Sequence, residues 1–138
     1  MKILLAMALA WATYFPLHQK EDGKVIEGTW VIEDAELAGK KLDALKGTKL
    51  TMANGKYEFQ NDKGEYILSA AEKLTALDIL GKEGPNQGKT ILTIYQLDGD
   101  RLRICYDLTG KARPTEFKTE TGSRLFLVTY QREKAKVQ

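Results

Sequence analysis

The sequence predicts an all-β protein, an eight-stranded antiparallel up-and-down barrel with one short helix after the first strand. Short segments of alternating apolar and polar residues recur from residue 28 to residue 132. Tight-turn pairs such as Asn54-Gly55 separate these segments. In addition, Gly28-Thr29-Trp30 opens the series and Tyr130-Gln131-Arg132 closes it, which is the arrangement expected if the first and last strands pair.

The first strand covers residues 28–37 and carries Trp30 on its inward face. A short helix, of about one turn, follows over residues 40–46. Residues 49–53 and 56–60 then form a hairpin around the Asn-Gly pair, which tolerates the positive φ angles of a tight primed turn. The remaining strands are predicted at residues 65–70, 74–80, 90–97, 101–106 and 124–132.

An open meander of this kind would leave two long strand edges exposed to water, and closure into a barrel removes both. We predict that Trp30 plugs one end, that the guanidinium of Arg132 lies over its ring, and that Gly28 belongs to the same closure. Such a stacked pair stabilises a protein by about 0.5–2 kcal/mol. Eight strands leave room for packed side chains or one small ligand.

The 138 residues suit a single barrel domain, predicted over residues 25–133 with a charged tail at 134–138. Residues 1–17 have the pattern of a signal peptide, with Lys2 followed by an apolar stretch. That stretch is shorter than the roughly 20 residues of a membrane span. We therefore expect cleavage, no stable membrane span after processing, and a periplasmic or secreted protein; an uncleaved membrane anchor is the alternative.

Composition excludes several function classes. The net charge is +2, and lysines and arginines are scattered through the turns, so we expect no nucleic-acid partner. Cys105 is the one cysteine, lies in an apolar strand, and is predicted to be a small buried residue. With one histidine and one cysteine, the chain offers no metal site and no nucleophile–base pair, and we expect neither a cofactor nor an enzyme.

Two loops resemble binding motifs without meeting their requirements. Residues 84–90 have one residue too few between the glycines for a phosphate-binding loop, and a strand follows in place of a helix. We interpret them as a flexible loop at the barrel mouth. Asp98-Gly99-Asp100 lacks the further acidic residues of a calcium loop and is predicted to be a turn.

The candidate ligand-binding residues are aromatic and polar side chains on the strands and on one loop. An aromatic cavity with a few polar groups suits a small apolar or amphipathic ligand, although the same side chains could simply fill the interior. The loop offers either a rim site facing a ligand or a rigid segment whose Phe117 plugs the barrel end. The candidates are Tyr57, Phe59, Tyr66, Tyr95, Arg103 and Tyr106 on the strands, and Arg113 and Glu116 on the loop.

Gly28-Thr29-Trp30, together with the segments 83–90, 95–100, 102–106 and the Arg-Pro-Thr-Glu-Phe motif, resembles an uncharacterised family of lipocalin-like domains of planctomycete bacteria. The resemblance spans about residues 26–133 and implies a calycin-type barrel without assigning an activity or a ligand. The segment between the first two strands is too short for the helix pair of fatty-acid-binding proteins. Tyr130-x-Arg132 also lacks their Arg-x-Tyr order, which disfavours a fatty-acid ligand.

The sequence is compatible with three functions, which we state as hypotheses. The first is a binding module that holds a small hydrophobic or amphipathic molecule in the barrel. The second is a structural or protein-interaction domain with a filled core and no ligand, whose partner the sequence does not identify. The third, an enzyme, has no catalytic constellation in the sequence to support it.

Overall fold

The computed structural model describes residues 22–71 and 74–134. These residues contain nine strands in one antiparallel sheet, of which eight close into a barrel while β2 lies beside the end of β1. The predicted all-β, eight-stranded antiparallel barrel is therefore confirmed. The strands are β1 (Gly28–Leu37), β2 (Lys40–Lys41), β3 (Lys49–Ala53), β4 (Lys56–Phe59), β5 (Asp62–Ala71), β6 (Leu74–Glu83), β7 (Thr90–Asp98), β8 (Arg101–Asp107) and β9 (Leu125–Arg132).

Within the part of the chain that the structure describes, helical structure is limited to short turns. A single turn covers residues 22–25, and the helix expected after the first strand is a 3₁₀ turn at Asp43–Leu45. It is shorter than residues 40–46 because Lys40 and Lys41 pair with the end of β1 and form β2. No helix within residues 22–71 and 74–134 has the length and apolarity needed to cross a membrane. Residues 1–17 and 135–138, where the signal peptide and most of the tail were expected, lie outside the described residues.

Pairing between β1 and β9 closes the barrel. The register runs from Trp30 opposite Arg132 to Leu37 opposite Phe126, with an irregularity between Ile32 and Asp34. A bulge of this kind leaves one residue unpaired and reverses which alternate side chains face inward. For this reason Ile32 before the bulge and Ala35 after it both belong to the buried core.

The barrel end at which β1 begins and β9 finishes is sealed, and we call it the closed end. Trp30 is 0% exposed there, and its Nε1–H donates a hydrogen bond of 2.8 Å to the carbonyl of Ile26, which is also fully buried. The guanidinium of Arg132 lies 4.2 Å from the centre of the Trp30 ring. Gly28 has a φ of +133°, and a Cβ at this position would lie 2.8 Å from Arg132 Nη1, so a side chain would disturb the stack.

The opposite end, which we call the open end, carries the turns at residues 60–61 and 84–89 and the long β8–β9 connection. This connection, the outer loop (residues 108–124), folds back over the outside of the barrel. Arg113 anchors it by donating to Asp78 Oδ1 on β6 at 2.7 Å and to the carbonyl of Thr93 on β7 at 2.8 Å. In the same region the outward-facing Ala76, Ile94 and Cys105, which are neighbours in register, are fully buried.

Candidate functional site

A cavity of about 120 Å³ lies inside the barrel beneath the open end. Apolar side chains form most of its wall, among them Leu50, Met52, Leu77, Ile79, Ile91 and Ile104. Pockets for drug-sized ligands occupy about 300–1,000 Å³, whereas an apolar cavity of about 150 Å³ holds benzene. The volume is therefore close to that of a cavity for one small ring and far below that of a pocket for a long lipid.

A carboxylate held by two donors lies at the mouth of the cavity. The Tyr57 hydroxyl donates to Asp62 Oδ1 at 3.2 Å, and the Asn86 side-chain amide donates to Asp62 Oδ2 at 2.7 Å. All three residues line the cavity. Burial, and next the Asp62 charge, raises the pKa of Tyr57, so its hydroxyl stays protonated and keeps donating. The Asp62 carboxylate is thus fixed at the entrance.

A second polar group in the cavity wall is a pair of tyrosine hydroxyls. The hydroxyls of Tyr106 on β8 and Tyr130 on β9 are 2.7 Å apart and hydrogen-bond to each other. Burial raises the pKa of both phenols, so both are neutral at physiological pH. Both tyrosines line the cavity.

Three of the candidate residues line the cavity, namely Tyr57, Phe59 and Tyr106. Tyr66 and Tyr95 are buried in the same core but do not border the cavity, because they lie nearer the closed end. The Tyr66 amide donates to the carbonyl of Gly55 in the β3–β4 turn. The Tyr95 hydroxyl donates to Asp22 Oδ2 at 2.8 Å and so ties β7 to the first described turn.

The three charged candidates lie on the outside of the barrel. Arg103 faces outward, donates to Gln96 and stacks on the ring of Phe117 at 4.7 Å. Arg113 is the anchor of the outer loop, and Glu116 is exposed and pairs with Lys118 at 3.2 Å. The structure therefore does not bring Arg103, Arg113 or Glu116 to the cavity, and Phe117 covers the outer face near Arg103, where it does not plug the open end.

Besides the apolar wall, three cavity residues with polar groups were not among the candidates: Asp62, Asn86 and Tyr130. Tyr130 could have been found, because it alternates with Arg132 on the inward face of the last strand. The local sequence around Asp62 and Asn86 is typical of turns and indicates no binding role. The two side chains meet only because the 84–89 turn folds against the 60–61 turn. Gly84 permits this approach, since a Cβ at this position would lie 2.2 Å from the Asn61 carbonyl oxygen.

The 84–89 turn lies at the open end, and its backbone is compact. Backbone hydrogen bonds of 3.1 Å from Gln87 to Gly84 and of 2.9 Å from Lys89 to Asn86 hold it. Gly81 pairs with both Lys89 and Gly88 across its base. The position of the Asn86 side chain over the mouth is therefore fixed by the backbone around it.

The thiol of Cys105 is buried on the outer face of the barrel and donates weakly to the Lys118 carbonyl at 3.8 Å. Burial raises the pKa of its thiol to about 11. A thiol of this kind is protonated at neutral pH and is a poor nucleophile. Among the described residues, no group of three or more His, Cys, Asp and Glu side chains is arranged to hold a metal ion.

Comparisons with known proteins add no relative to this picture. No protein-family model, curated protein or solved structure matches the chain with significance. The fold and the geometry of the cavity therefore carry what can be said about function.

Proposed function

We propose that the protein is a binding module that holds one small, mostly apolar molecule in the barrel cavity. The observation that carries this proposal is a cavity of about 120 Å³ with apolar walls and a few fixed polar groups. Ligand sites generally combine these two features, because apolar walls supply affinity and a few polar groups supply orientation. The closed end does not depend on a ligand, since Trp30 and Arg132 seal it with side chains of the chain itself.

A domain with a filled core and no ligand, acting as a structural or protein-interaction unit, is the second candidate. The observation in its favour is the same volume, which is well below the roughly 300 Å³ at which drug-sized pockets begin. A cavity of this size is also tolerated in a protein that binds nothing. The two candidates differ in whether a ring-sized molecule stabilises the fold.

We propose binding without catalysis. Cys105, the one cysteine of the chain, lies on the opposite face of β8 from the cavity and is protonated at neutral pH because burial raises its pKa to about 11. The described side chains that line the cavity include no base paired with a nucleophile. Their hydroxyl and carboxylate groups are arranged to orient a ligand.

A titration with toluene, followed by isothermal calorimetry and by the thermal unfolding midpoint, tests the proposal. A ligand that binds only the folded state must raise that midpoint. The variant Ile79→Phe places a larger side chain in the cavity wall, whereas Ile67→Phe makes the same change on the outer face, where Ile67 is 53% exposed. We expect toluene to bind the unaltered protein and Ile67→Phe, and to bind Ile79→Phe at least about tenfold more weakly.

Failure of toluene to bind or stabilise the unaltered protein would favour the filled-core candidate. Equal binding to Ile79→Phe and Ile67→Phe would mean that the molecule binds elsewhere. Circular dichroism of both variants controls for folding, because overpacking a core costs about 1–3 kcal/mol.

We also propose that the protein is exported and that it belongs with the lipocalin-like domains it resembles. Lys2 and the apolar stretch after it support export, and Gly28-Thr29-Trp30 with the other matching segments supports the family. Intact-mass measurement of the protein from its own host tests the first point. Cleavage after Ala10 or Ala12 is expected, and a full-length chain in the membrane fraction would favour an uncleaved anchor.

A further inference from the structure

The two tyrosine hydroxyls in the cavity wall carry two protons, and the hydrogen bond between them uses only one. Each phenol can donate one hydrogen bond and accept others. In the contact between Tyr106 and Tyr130 one hydroxyl donates and the other accepts, so the accepting hydroxyl keeps a proton. Among the described residues neither hydroxyl makes a second hydrogen bond to another side chain or to the backbone.

The hydroxyl that keeps this proton does not ionise, and it lies in the cavity wall inside the barrel. Burial raises the pKa of both phenols, so neither ionises at physiological pH. Tyr106 and Tyr130 both line the cavity; Tyr130 is nearly fully buried and Tyr106 is half-buried. This donor faces a largely apolar cavity, where a hydrogen bond is stronger than in water, so a molecule that supplies an acceptor atom gains more here than it would at the surface.

The charge of the cavity restricts what that molecule can be. Asp62 is the one charged side chain among the described residues that line the cavity, and no lysine or arginine lines it. Tyr57 and Asn86 hold the Asp62 carboxylate in place at the mouth. An anionic ligand would have to enter past a fixed negative charge and would meet no positive charge inside.

We infer that the ligand is an uncharged, ring-sized molecule with a carbonyl or ether oxygen. This oxygen accepts a hydrogen bond from the hydroxyl proton that the Tyr106–Tyr130 pair leaves free, and Asp62 excludes the corresponding carboxylates. This inference rests on the proposed binding function and adds the chemical class of the ligand. It differs from a simple apolar cavity because it requires one oxygen acceptor at a defined place.

Three probes of nearly equal shape and size separate these possibilities: cumene, acetophenone and benzoate. Cumene has no oxygen, acetophenone has a neutral carbonyl, and benzoate has a carboxylate. Measured by calorimetry on the unaltered protein, acetophenone should bind about tenfold more tightly than cumene, because it satisfies a buried donor. Benzoate should bind at least about tenfold more weakly than acetophenone.

Two variants assign the effects to residues. Either tyrosine alone would retain a free proton, so the double variant Tyr106→Phe/Tyr130→Phe is required. It should abolish the preference for acetophenone and leave the affinity for cumene within about twofold. Replacing both partners of a hydrogen bond by apolar groups of the same shape is often nearly neutral for stability, so this variant is expected to fold. Asp62→Asn should raise the affinity for benzoate by removing the like charge at the mouth, while acetophenone stays the tighter ligand because the described cavity wall supplies no positive charge.

The outcomes separate this inference from the proposed function. If cumene and acetophenone bind equally well, or if the double variant keeps the preference, the tyrosine pair does not select the ligand, although the cavity still binds. If benzoate binds as well as acetophenone, Asp62 does not exclude acids. If none of the three probes nor toluene binds, the proposed function fails and the inference fails with it. The probe series on the unaltered protein decides these points even if a variant does not fold.

Discussion

The guanidinium of Arg132 lies 4.2 Å from the centre of the Trp30 ring, and the two residues are directly opposite each other where the last strand pairs with the first. Arg132 also donates from Nη1 to the carbonyl of Glu27 at 2.8 Å and from Nη2 to the carbonyl of Val25. One side chain therefore covers the indole and holds the segment that precedes β1. This closure seals the closed end of the barrel with the chain's own side chains.

Replacing Arg132 should therefore cost more than replacing an ordinary surface arginine. In Arg132→Met the stack is lost and two backbone carbonyls lose their donors, so we expect the free energy of unfolding to fall by about 2–4 kcal/mol. Arg101→Met is the control, since Arg101 is 59% exposed and pairs with Glu33 at 3.4 Å, and it should change stability by less than about 0.5 kcal/mol. Urea unfolding measures both. Equal losses in the two variants would refute the special role of Arg132.

A glycine on β5 makes room for a cavity residue. A Cβ on Gly64 would lie 2.1 Å from the Leu80 carbonyl oxygen and 2.8 Å from Cε1 of Tyr57. Gly64→Ala should therefore separate β5 from β6 and displace Tyr57, lowering stability by about 1–3 kcal/mol. Gly23→Ala is the matched control, because its Cβ would approach only Leu68, at 4.0 Å, and should be close to neutral. Urea unfolding of both variants is the measurement, and a neutral Gly64→Ala would show that the strands adjust freely.

Asp107 should make the outer loop sensitive to acid. Burial by itself raises the pKa of Asp107, but hydrogen bonds from the Thr109 hydroxyl and from the backbone N–H groups of Thr109 and Ala112 outweigh it and lower that pKa. The unfolded chain thus binds this proton at a higher pH than the folded chain. The stabilisation is complete above the unfolded value of about 3.9 and is lost as the pH falls through the lower folded pKa.

The variant Asp107→Asn tests this directly. At pH 7 it should lower the free energy of unfolding by about 1–3 kcal/mol, because a buried acceptor is replaced. The difference between the variant and the unaltered protein should shrink as the pH falls below about 4. Urea unfolding at several pH values gives the difference, and a difference that does not change with pH would rule out the Asp107 charge as the cause.

The thiol of Cys105 reports on the outer loop. Because the thiol is buried and burial raises its pKa to about 11, a thiol-specific reagent such as DTNB should react slowly with the native protein and rapidly after denaturation. Arg113→Ala frees the loop from Asp78 and Thr93 and should accelerate the native reaction at least about tenfold. Lys118→Ala removes only exposed ion pairs to Glu116 and Glu120 and should leave the rate unchanged. Reaction of the native thiol at the rate of an exposed one would contradict this arrangement.

The barrel was predictable because its signals are local. Asn54 and Gly55 both have positive φ in the structure, as an Asn-Gly hairpin turn requires. Strand alternation also predicts that Trp30 faces inward, and the need to close the sheet brings Arg132 opposite to it. Each of these inferences depends on neighbouring residues or on the two ends of the chain alone.

The polar part of the site was less predictable, for two reasons. Arg103 and Tyr106 are three positions apart on one strand, so alternation puts them on opposite faces, and treating them as one site was inconsistent with that rule. The partners of Arg113 and Asp62 are set instead by the path of the loops. Asp78 is 35 residues from Arg113, and Asn86 is 24 residues from Asp62, so no local pattern reveals either contact.

Analysis of the protein purified from its own host, by native mass spectrometry and by gas chromatography of a solvent extract, tests the binding function most directly. We predict one bound molecule with a mass on the order of 100 Da, the size that the cavity fits. It should be present in Ile67→Phe and reduced or absent in Ile79→Phe. A bare chain and an empty extract in repeated preparations, from a protein that toluene also fails to stabilise, would contradict the claim that the barrel carries a ligand.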